Sequence, residues 1–392
     1  MQNYLHPVAK KTVKNLLKEI TRNRQEGTSV MKKIVPFPRY PIGTSSPSTP
    51  STILPVPSTQ SYWTFPISGD LLGPNKVYVM ATLNVTPDSF SDGSMHNSLE
   101  AALQCTGTSI SAGADIIDIG GYSTRPRANY VSNEDEISRV VPVIQAVRER
   151  SKDALISVDT FRADVAEAAV MAGANCINDV HAFTGPEFPL YEASACNLIS
   201  MRQLARNLAV PVVLMHSRGD AGSNKDYSAY LNTENNGQSL VLKGVQMELG
   251  DKVDAIVRGR GGVRRWLVMV DPGIGFSKTM DDNLEVLRHA SLITAGNATG
   301  EPRNPLEGYP LLIGTSKKSF IGKILKSGCD YRSRDTEPKD RGWATAAAVA
   351  CAVQQGASVV RVHDVAEMVD VVKMSSALWW RRRKSNVELL HE

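Results

Sequence analysis

The sequence predicts a (β/α)8 barrel, the TIM-barrel class, preceded by a flexible N-terminal extension. Short runs rich in Val, Ile and Leu recur eight times after residue 76, and loops and helical patterns separate them. Runs that are apolar throughout are typical of parallel strands buried on both faces. Eight such strands alternating with helices over roughly 300 residues form the pattern of a closed barrel. The predicted strands are 77–84, 115–119, 155–158, 175–178, 211–215, 266–270, 310–314 and 358–362.

Helical patterns between these strands complete the prediction. Two further intervals, 216–238 and 291–309, are longer than a barrel needs and are interpreted as surface insertions. A doubly wound open sheet is the alternative architecture, but it usually has fewer strands. No Gly-x-Gly-x-x-Gly motif follows the first strand to indicate a dinucleotide fold. The predicted helices include 98–112, 134–150, 162–172, 239–258, 342–355 and 364–378.

The first 76 residues differ in composition from the barrel. Residues 1–33 are basic, and apolar residues from Val13 to Ile20 recur at helical spacing. Residues 34–76 are rich in Pro, Ser and Thr, a composition that cannot sustain helix or ladder hydrogen bonds and indicates a linker. The predicted organisation is therefore an N-terminal segment, a linker over 34–76 and a barrel over 77–392.

The charge distribution and the cysteine content indicate which partners and which cellular compartment are plausible for the protein. The formal net charge is +4, but the first 33 residues and the basic run near the C-terminus supply more than that excess. The remaining body is acidic, which argues against nucleic acid as the main partner. No apolar run approaches the roughly 18 residues of a membrane span. The five cysteines are scattered without a C-x-x-C pair, which predicts a reduced, intracellular compartment, cytoplasmic or mitochondrial.

Polar side chains follow almost every predicted strand, where barrel enzymes hold their chemistry. Asp159, Asn178 and Asp271 supply acceptors and one amide, which suits a flat heterocycle with many N–H donors. Cations after strands seven and eight suit a phosphate. No nucleophilic triad is evident, so the predicted chemistry is positioning and electrostatic stabilisation of a leaving phosphate. The strand-end residues are Asn84, Asp159, Asn178, Asp179, Met215, His216, Asp271, Lys317, Lys318, Ser319, Arg361, His363 and Asp364.

His216 and Asp364 are expected to have structural rather than ligand-binding roles. His216 is interpreted as a satisfied core histidine. Asp364 is interpreted as the N-cap of the last helix, a common role for an Asp at that position.

Eight segments resemble motifs of the dihydropteroate synthase family, and they occur in that family's order. They are LNVTPDSFSDG, IIDIGGYSTRP, SVDT, INDV, LMHSRGD, VDPGIGF, IGTSKKSF and VRVHDV. The resemblance covers about residues 79–378, the whole predicted barrel. It implies condensation of 6-hydroxymethyl-7,8-dihydropterin pyrophosphate with p-aminobenzoate, giving dihydropteroate and pyrophosphate for folate synthesis. It also implies Mg²⁺ as a cofactor, a homodimer and a sulfonamide target.

The resemblance assigns roles to residues. It implies that Lys318, Arg361 and His363 are catalytic and that Asn84 holds both pyrophosphate and Mg²⁺. A mobile flap is expected over 86–93. The family's pterin site maps to Asp159, Asn178, Asp271 and Lys318, the pyrophosphate site to Asn84, Arg361 and His363, and the p-aminobenzoate site to Thr124, Arg125, Pro126, Phe276 and Ser319, with Met215 also at the substrates.

Two rival functions remain open, and so does the question whether the chain is part of a longer protein. A pterin-binding methyltransferase barrel would share the carboxylates but would not need the STRP or SKKS motif. A non-catalytic barrel would bind pterin or phosphate without turnover. The joint presence of four residues argues against it: Asn84, Lys318, Arg361 and His363. Residues 1–33 resemble the end of a pterin pyrophosphokinase, as in fungal fused folate-synthesis proteins. The chain is therefore expected to be a fragment or shortened form of such a fusion, without a complete kinase site.

Overall fold

The computed structural model describes residues 76–85, 95–123, 130–231, 239–259, 261–296, 304–327 and 333–379. The N-terminal segment, nearly all of the linker, the flap over 86–93 and the loop residues Thr124, Arg125 and Pro126 lie outside these ranges. Predictions for those parts therefore stay predictions.

Eight parallel strands form one sheet, and the predicted (β/α)8 barrel is confirmed. Neighbouring strands pair in the order β6-β5-β4-β3-β2-β1-β8-β7. A single bridge between Val270 and Leu311 joins the two ends of this sheet and closes the barrel. The strands are β1 (Tyr78–Asn84), β2 (Ile116–Gly120), β3 (Leu155–Asp159), β4 (Cys176–Asp179), β5 (Val212–Met215), β6 (Val268–Asp271), β7 (Leu312–Ile313) and β8 (Val359–Val362).

Ten α-helices accompany the strands in the described part of the chain, and they surround the barrel as the sequence predicts. Their bounds agree within a few residues with the six predicted helices. The helices are α1 (Met95–Ser111), α2 (Asn133–Arg150), α3 (Ala163–Met171), α4 (Glu192–Leu208), α5 (Leu240–Val257), α6 (Met280–Arg288), α7 (Ala290–Thr294), α8 (Ser319–Lys326), α9 (Gly342–Gln354) and α10 (Val365–Trp379). Within these ranges, no helix combines the length and apolar character needed to cross a bilayer.

Two apolar layers hold the barrel together because successive strand residues point to opposite faces. Outward-facing Val and Ile side chains pack with the helices in one large core. Inward-facing side chains from β1, β2 and β4–β8 form a separate cluster that fills the barrel. This inner cluster comprises Met80, Ile116, Cys176, Val213, Met269, Leu312 and Val359. The polar strand ends therefore stand above a closed, apolar floor.

The predicted surface insertions are only partly at the surface. In the first interval, Tyr227 is 5% exposed and His216 and Arg218 are buried. In the second, Leu306 and Tyr309 are buried, and Asn304 Nδ2 donates to the carbonyls of Ile293 and Ala295 at 2.8 and 2.9 Å. Both intervals therefore combine surface residues with side chains that belong to the core, and the length of an interval does not show this second contribution.

Candidate active site

The centre of the site is an arginine held between two carboxylates. Arg361 Nε donates to Asp118 Oδ2 at 2.6 Å, and its Nη2 donates to Asp159 Oδ2 at 2.8 Å. Asn178 Nδ2 donates to the same Asp118 oxygen at 3.1 Å. The four residues stand on β8, β2, β3 and β4, so closure of the barrel brings them together. Asp118 had no predicted role, although an Asp between Ile117 and Ile119 in the second strand could have indicated a functional residue.

Asp271 marks the opposite side of the same pocket. Its Oδ1 accepts the backbone N–H of Gly273 at 2.7 Å. Gly273 has φ +71°, and a Cβ there would lie 2.0 Å from the carbonyl oxygen of His216. Only glycine suits this position, because the backbone is left-handed and the neighbouring carbonyl leaves no room for a Cβ atom. The DPGIGF glycines therefore shape the loop that carries Asp271 and Phe276.

A lysine and an aromatic ring line the pocket beside that loop. Lys318 Nζ lies 4.6 Å from the centre of the Phe276 ring, a cation–π distance. Phe276 also packs with Met215 and Val180 in a small buried cluster. Ser319 is exposed at the first residue of α8. The structure thus brings Lys318, Phe276 and Met215 together, with Ser319 at the outer edge.

Lys317 and Lys318 point to different partners. Lys317 has φ +57°, and its Nζ pairs with Asp364 Oδ1 at 2.6 Å. Asp364 directly precedes α10, the position expected of an N-cap, and its carbonyl oxygen accepts from the Met368 N–H at 3.1 Å. His363 lies beside it, and its Nδ1 is 3.0 Å from Ser316 Oγ.

Burial and neighbouring charges shift the pKa of the titratable groups at the site. Burial raises the pKa of Asp159 to about 7, since it outweighs the lowering effect of Arg361, and the Asp118 charge adds to the rise. Burial likewise raises the pKa of Asp271 to about 6. Burial and then the Arg361 charge lower the pKa of His363 to about 3, so its imidazole is neutral near pH 7. His363 can therefore offer a hydrogen bond to a phosphate, but not a charge.

A buried ionic network lies behind the Asp271 loop, and the sequence analysis missed it. Glu248 of α5 accepts from Arg218 Nη2 at 2.6 Å and from Arg218 Nε at 2.9 Å. His216 Nε2 is 3.0 Å from the same carboxylate, and Lys278 Nζ is 3.1 Å from His216 Nδ1. The buried His216 thus has the core role that was expected of it.

Lys278 connects this network to the ligand pocket. Its Nζ donates to the carbonyls of Gly273 and Phe276, both at 3.1 Å. Because an ammonium has three donors, these two bonds and the one to His216 satisfy it fully. The ionised Glu248 carboxylate can only accept, so the His216 ring carries its proton on Nε2 and its Nδ1 accepts from Lys278.

The remaining predicted residue, Asn84, ends β1 and pairs in register with Gly120. It is half-buried at the same end of the barrel as the other strand-end residues. Among the described residues, no group of three His, Cys, Asp or Glu side chains is arranged to hold a metal ion. Fold and site together define a barrel enzyme whose pocket suits a flat heterocycle with many N–H donors.

Comparison with known proteins specifies the family. The model of the pterin binding enzyme family matches residues 80–363, and the chain belongs to that family. It is 38% identical over 305 residues to the dihydropteroate synthase of Synechocystis, covering 78% of this chain and 91% of that protein. It is 38% identical to the folic acid synthesis protein of Pneumocystis carinii, but spans only 36% of that longer protein.

Solved structures agree with this assignment. A Clostridium difficile dihydropteroate synthase, solved in the presence of pteroic acid, has a TM-score of 0.62 and 33% identity, and the match covers 78% of this chain and 98% of that one. A Xanthomonas albilineans dihydropteroate synthase with 4-aminobenzoic acid has a TM-score of 0.61 and 35% identity, covering 78% and 94%.

Proposed function

We propose that this chain is a dihydropteroate synthase. It joins a dihydropterin pyrophosphate to p-aminobenzoate, releasing pyrophosphate. The observation that carries the proposal is the acceptor edge formed by Asp159, Asn178 and Asp271 around Arg361, with Lys318 beside it. Relatives of high coverage bear the same activity in their names. The solved relatives were obtained in the presence of pteroic acid and with 4-aminobenzoic acid.

The acceptor edge binds the pterin ring. Carboxylates of Asp159 and Asp271 each accept N–H donors of the ring, and the Asn178 amide offers both a donor and an acceptor. Because the pocket is buried, these bonds are stronger than they would be in water. They also place negative charge beside the ring, which stabilises a positive charge that develops there during the reaction.

The reaction exchanges a C–O bond for a C–N bond, and the proton that the amine loses passes to the released pyrophosphate or to water. The bond between the pterin methylene carbon and the pyrophosphate oxygen breaks, and its electron pair leaves with the pyrophosphate. The aryl amine nitrogen then bonds to the same carbon and loses a proton. Arg361 and Lys318 stabilise charge on the departing group, and neutral His363 donates a hydrogen bond to it. Phe276 and Ser319 stand on the p-aminobenzoate side. Thr124, Arg125 and Pro126, which the family resemblance assigns to the same side, lie outside the described residues.

Mg²⁺ fits this proposal through Asn84. The ion prefers oxygen ligands, keeps several waters and binds through few protein groups when a phosphate is present. The Asn84 amide oxygen at the lip of β1 suits that limited role, whereas Asp118 and Asp159 are occupied by Arg361. When bound, the ion supplies charge neutralisation for the pyrophosphate. The cytoplasmic or mitochondrial location and the homodimer stay predictions.

The test of function is to mix the purified chain with dihydropterin pyrophosphate, p-aminobenzoate and Mg²⁺. We expect dihydropteroate and pyrophosphate in equal amounts. Ligand binding without either product would support the non-catalytic barrel and overturn the proposal.

Replacing Lys318 by alanine is expected to lower turnover about 10- to 100-fold, because a charge-assisted hydrogen bond contributes roughly 1.5–3 kcal/mol. Pyrophosphate release measures the loss, and the melting temperature checks the fold. Lys317→Ala is the matched control, since Lys317 pairs with Asp364. It should retain most activity. Equal losses in the two variants would contradict the assignment of Lys318.

Affinity for the dihydropterin is expected to weaken as the pH falls below about 7. Asp159 and Asp271 accept N–H donors only when ionised, and burial raises their pKa to about 7 and about 6. Ligand binding favours the charged carboxylates, so each carboxyl that must lose a proton weakens binding by about tenfold per pH unit below its pKa. Calorimetry between about pH 5 and 8 measures this. Asp271→Asn should bind weakly with a flatter profile, and a flat wild-type profile would refute the role.

A further inference from the structure

Three adjacent strands place oxygen-bearing side chains side by side inside the barrel. The parallel register sets Thr82 of β1 opposite Asp118 of β2, and Asp118 opposite Ser157 of β3. Two residues earlier on the first two strands, Met80 and Ile116 belong to the apolar cluster that fills the barrel. Since strand residues two apart share a face, Thr82 and Asp118 point into the same interior. Ser157 and Asp118 have no solvent exposure.

Each of these side chains leaves one buried oxygen without a nitrogen or oxygen partner in the described part of the chain, and Ser157 interacts only with the neighbouring Cys176 thiol. The atoms are Thr82 Oγ1, Asp118 Oδ1 and Ser157 Oγ. The other Asp118 oxygen is bound by Arg361 and Asn178. Paired strands lie about 4.8 Å apart, so each hydroxyl is one strand spacing from Asp118, yet these oxygens do not bond to one another. Buried polar groups in that situation are typically joined by an ordered water with about three hydrogen bonds.

We propose that Thr82, Asp118 and Ser157 form a binding site for one water molecule beneath the ligand pocket. The water donates one hydrogen to Asp118 Oδ1 and the other to one hydroxyl, and it accepts from the second hydroxyl. Each of the three oxygens then has a hydrogen-bond partner. A cation suits the site less well, because Arg361 already compensates the Asp118 charge at 2.6 Å. The water provides a hydrogen bond to Asp118 Oδ1, the oxygen to which neither Arg361 nor Asn178 donates.

A crystal structure at high resolution tests the site directly, whether or not the chain turns over substrate. We expect a water oxygen within about 2.6–3.2 Å of all three atoms. The peak should be absent in the double variant Thr82→Val with Ser157→Ala. A wild-type structure with no peak would overturn the proposal. So would a peak with the shorter distances of about 2.3–2.5 Å that indicate a metal ion.

The sign of a stability change provides a second test. If the water is held, Thr82→Val removes one of its partners and should lower Tm by about 2–3 °C, with a similar loss for Ser157→Ala. If the oxygens are unpaired, either change removes an unsatisfied polar group, and Tm stays constant or rises, which overturns the proposal. Thr106→Val is the matched control, because Thr106 Oγ1 donates directly to the Ala102 carbonyl at 2.8 Å. It gives the Tm loss expected for one buried hydroxyl bond.

Discussion

Replacing Arg361 by methionine is expected to lower turnover by about 1,000-fold. Losing one donor to developing charge in a preorganised site typically costs 100- to 1,000-fold. Here the same side chain also holds Asp118 and Asp159, at 2.6 and 2.8 Å. Without the guanidinium, burial and carboxylate repulsion raise the pKa of Asp159 further, which removes an acceptor for the pterin. Steady-state pyrophosphate release, with both substrates varied, measures the loss.

Two companion variants separate chemistry from stability. Arg361→Lys keeps the charge but cannot reach two carboxylates with a planar fork, so we expect a loss between wild type and Arg361→Met. The double variant Arg361→Met with Asp118→Asn removes the uncompensated carboxylate as well as the cation. Its Tm should exceed that of the single variant while turnover stays low. Recovery of turnover in the double variant would show that Arg361 only stabilises the fold.

Most of the barrel was predictable because strand burial leaves a local signature. Val/Ile-rich runs of β2, β3 and β8 stand out in the sequence since both faces are covered. The strand-end residues Asp159 and Asp271 follow from the same pattern, because they come directly after the predicted runs 155–158 and 266–270. An apolar run and the polar residue that ends it can both be recognised from a few consecutive residues, so neither requires knowledge of the tertiary structure.

The contacts between residues of the site could not be predicted, because they depend on closure of the barrel. Asp118 and Arg361 are 243 residues apart in sequence, and only the pairing of β1 with both β2 and β8 brings them together. Lys317 and Lys318 are adjacent and chemically alike, yet the positive φ of Lys317 sends the two side chains to different partners. Glu248 lies within a helix, where an acidic residue usually indicates a solvent-exposed face.

Replacing Glu248 by glutamine is expected to lower the free energy of unfolding by about 3–5 kcal/mol, the usual cost of leaving a buried ion without its counter-ion. The carboxylate compensates Arg218, whose side chain is 5% exposed, and it also accepts from the Tyr230 hydroxyl at 2.6 Å. Burial opposes ionisation, but the bonds from His216 and Arg218 prevail and hold the pKa of Glu248 well below its ordinary 4.5. Urea unfolding at pH 7 measures the change.

The pH dependence of that loss has a definite sign. Because the folded pKa lies below the unfolded one, the carboxylate stabilises the fold above about pH 4.5 and loses this effect as the pH falls further. The difference between wild type and Glu248→Gln should therefore be full at pH 7 and shrink toward pH 3.

Two controls separate the ionic network from ordinary charge removal. Glu100→Gln breaks the exposed pair with Arg150 and should change stability by less than about 1 kcal/mol. The double variant Glu248→Leu with Arg218→Met should be more stable than Glu248→Gln, because neither ion remains buried alone. His216 and Lys278 connect Glu248 to the loop carrying Asp271, so Glu248→Gln should also raise the KM for the pterin substrate. If it leaves both stability and KM unchanged, the network does not support the ligand pocket.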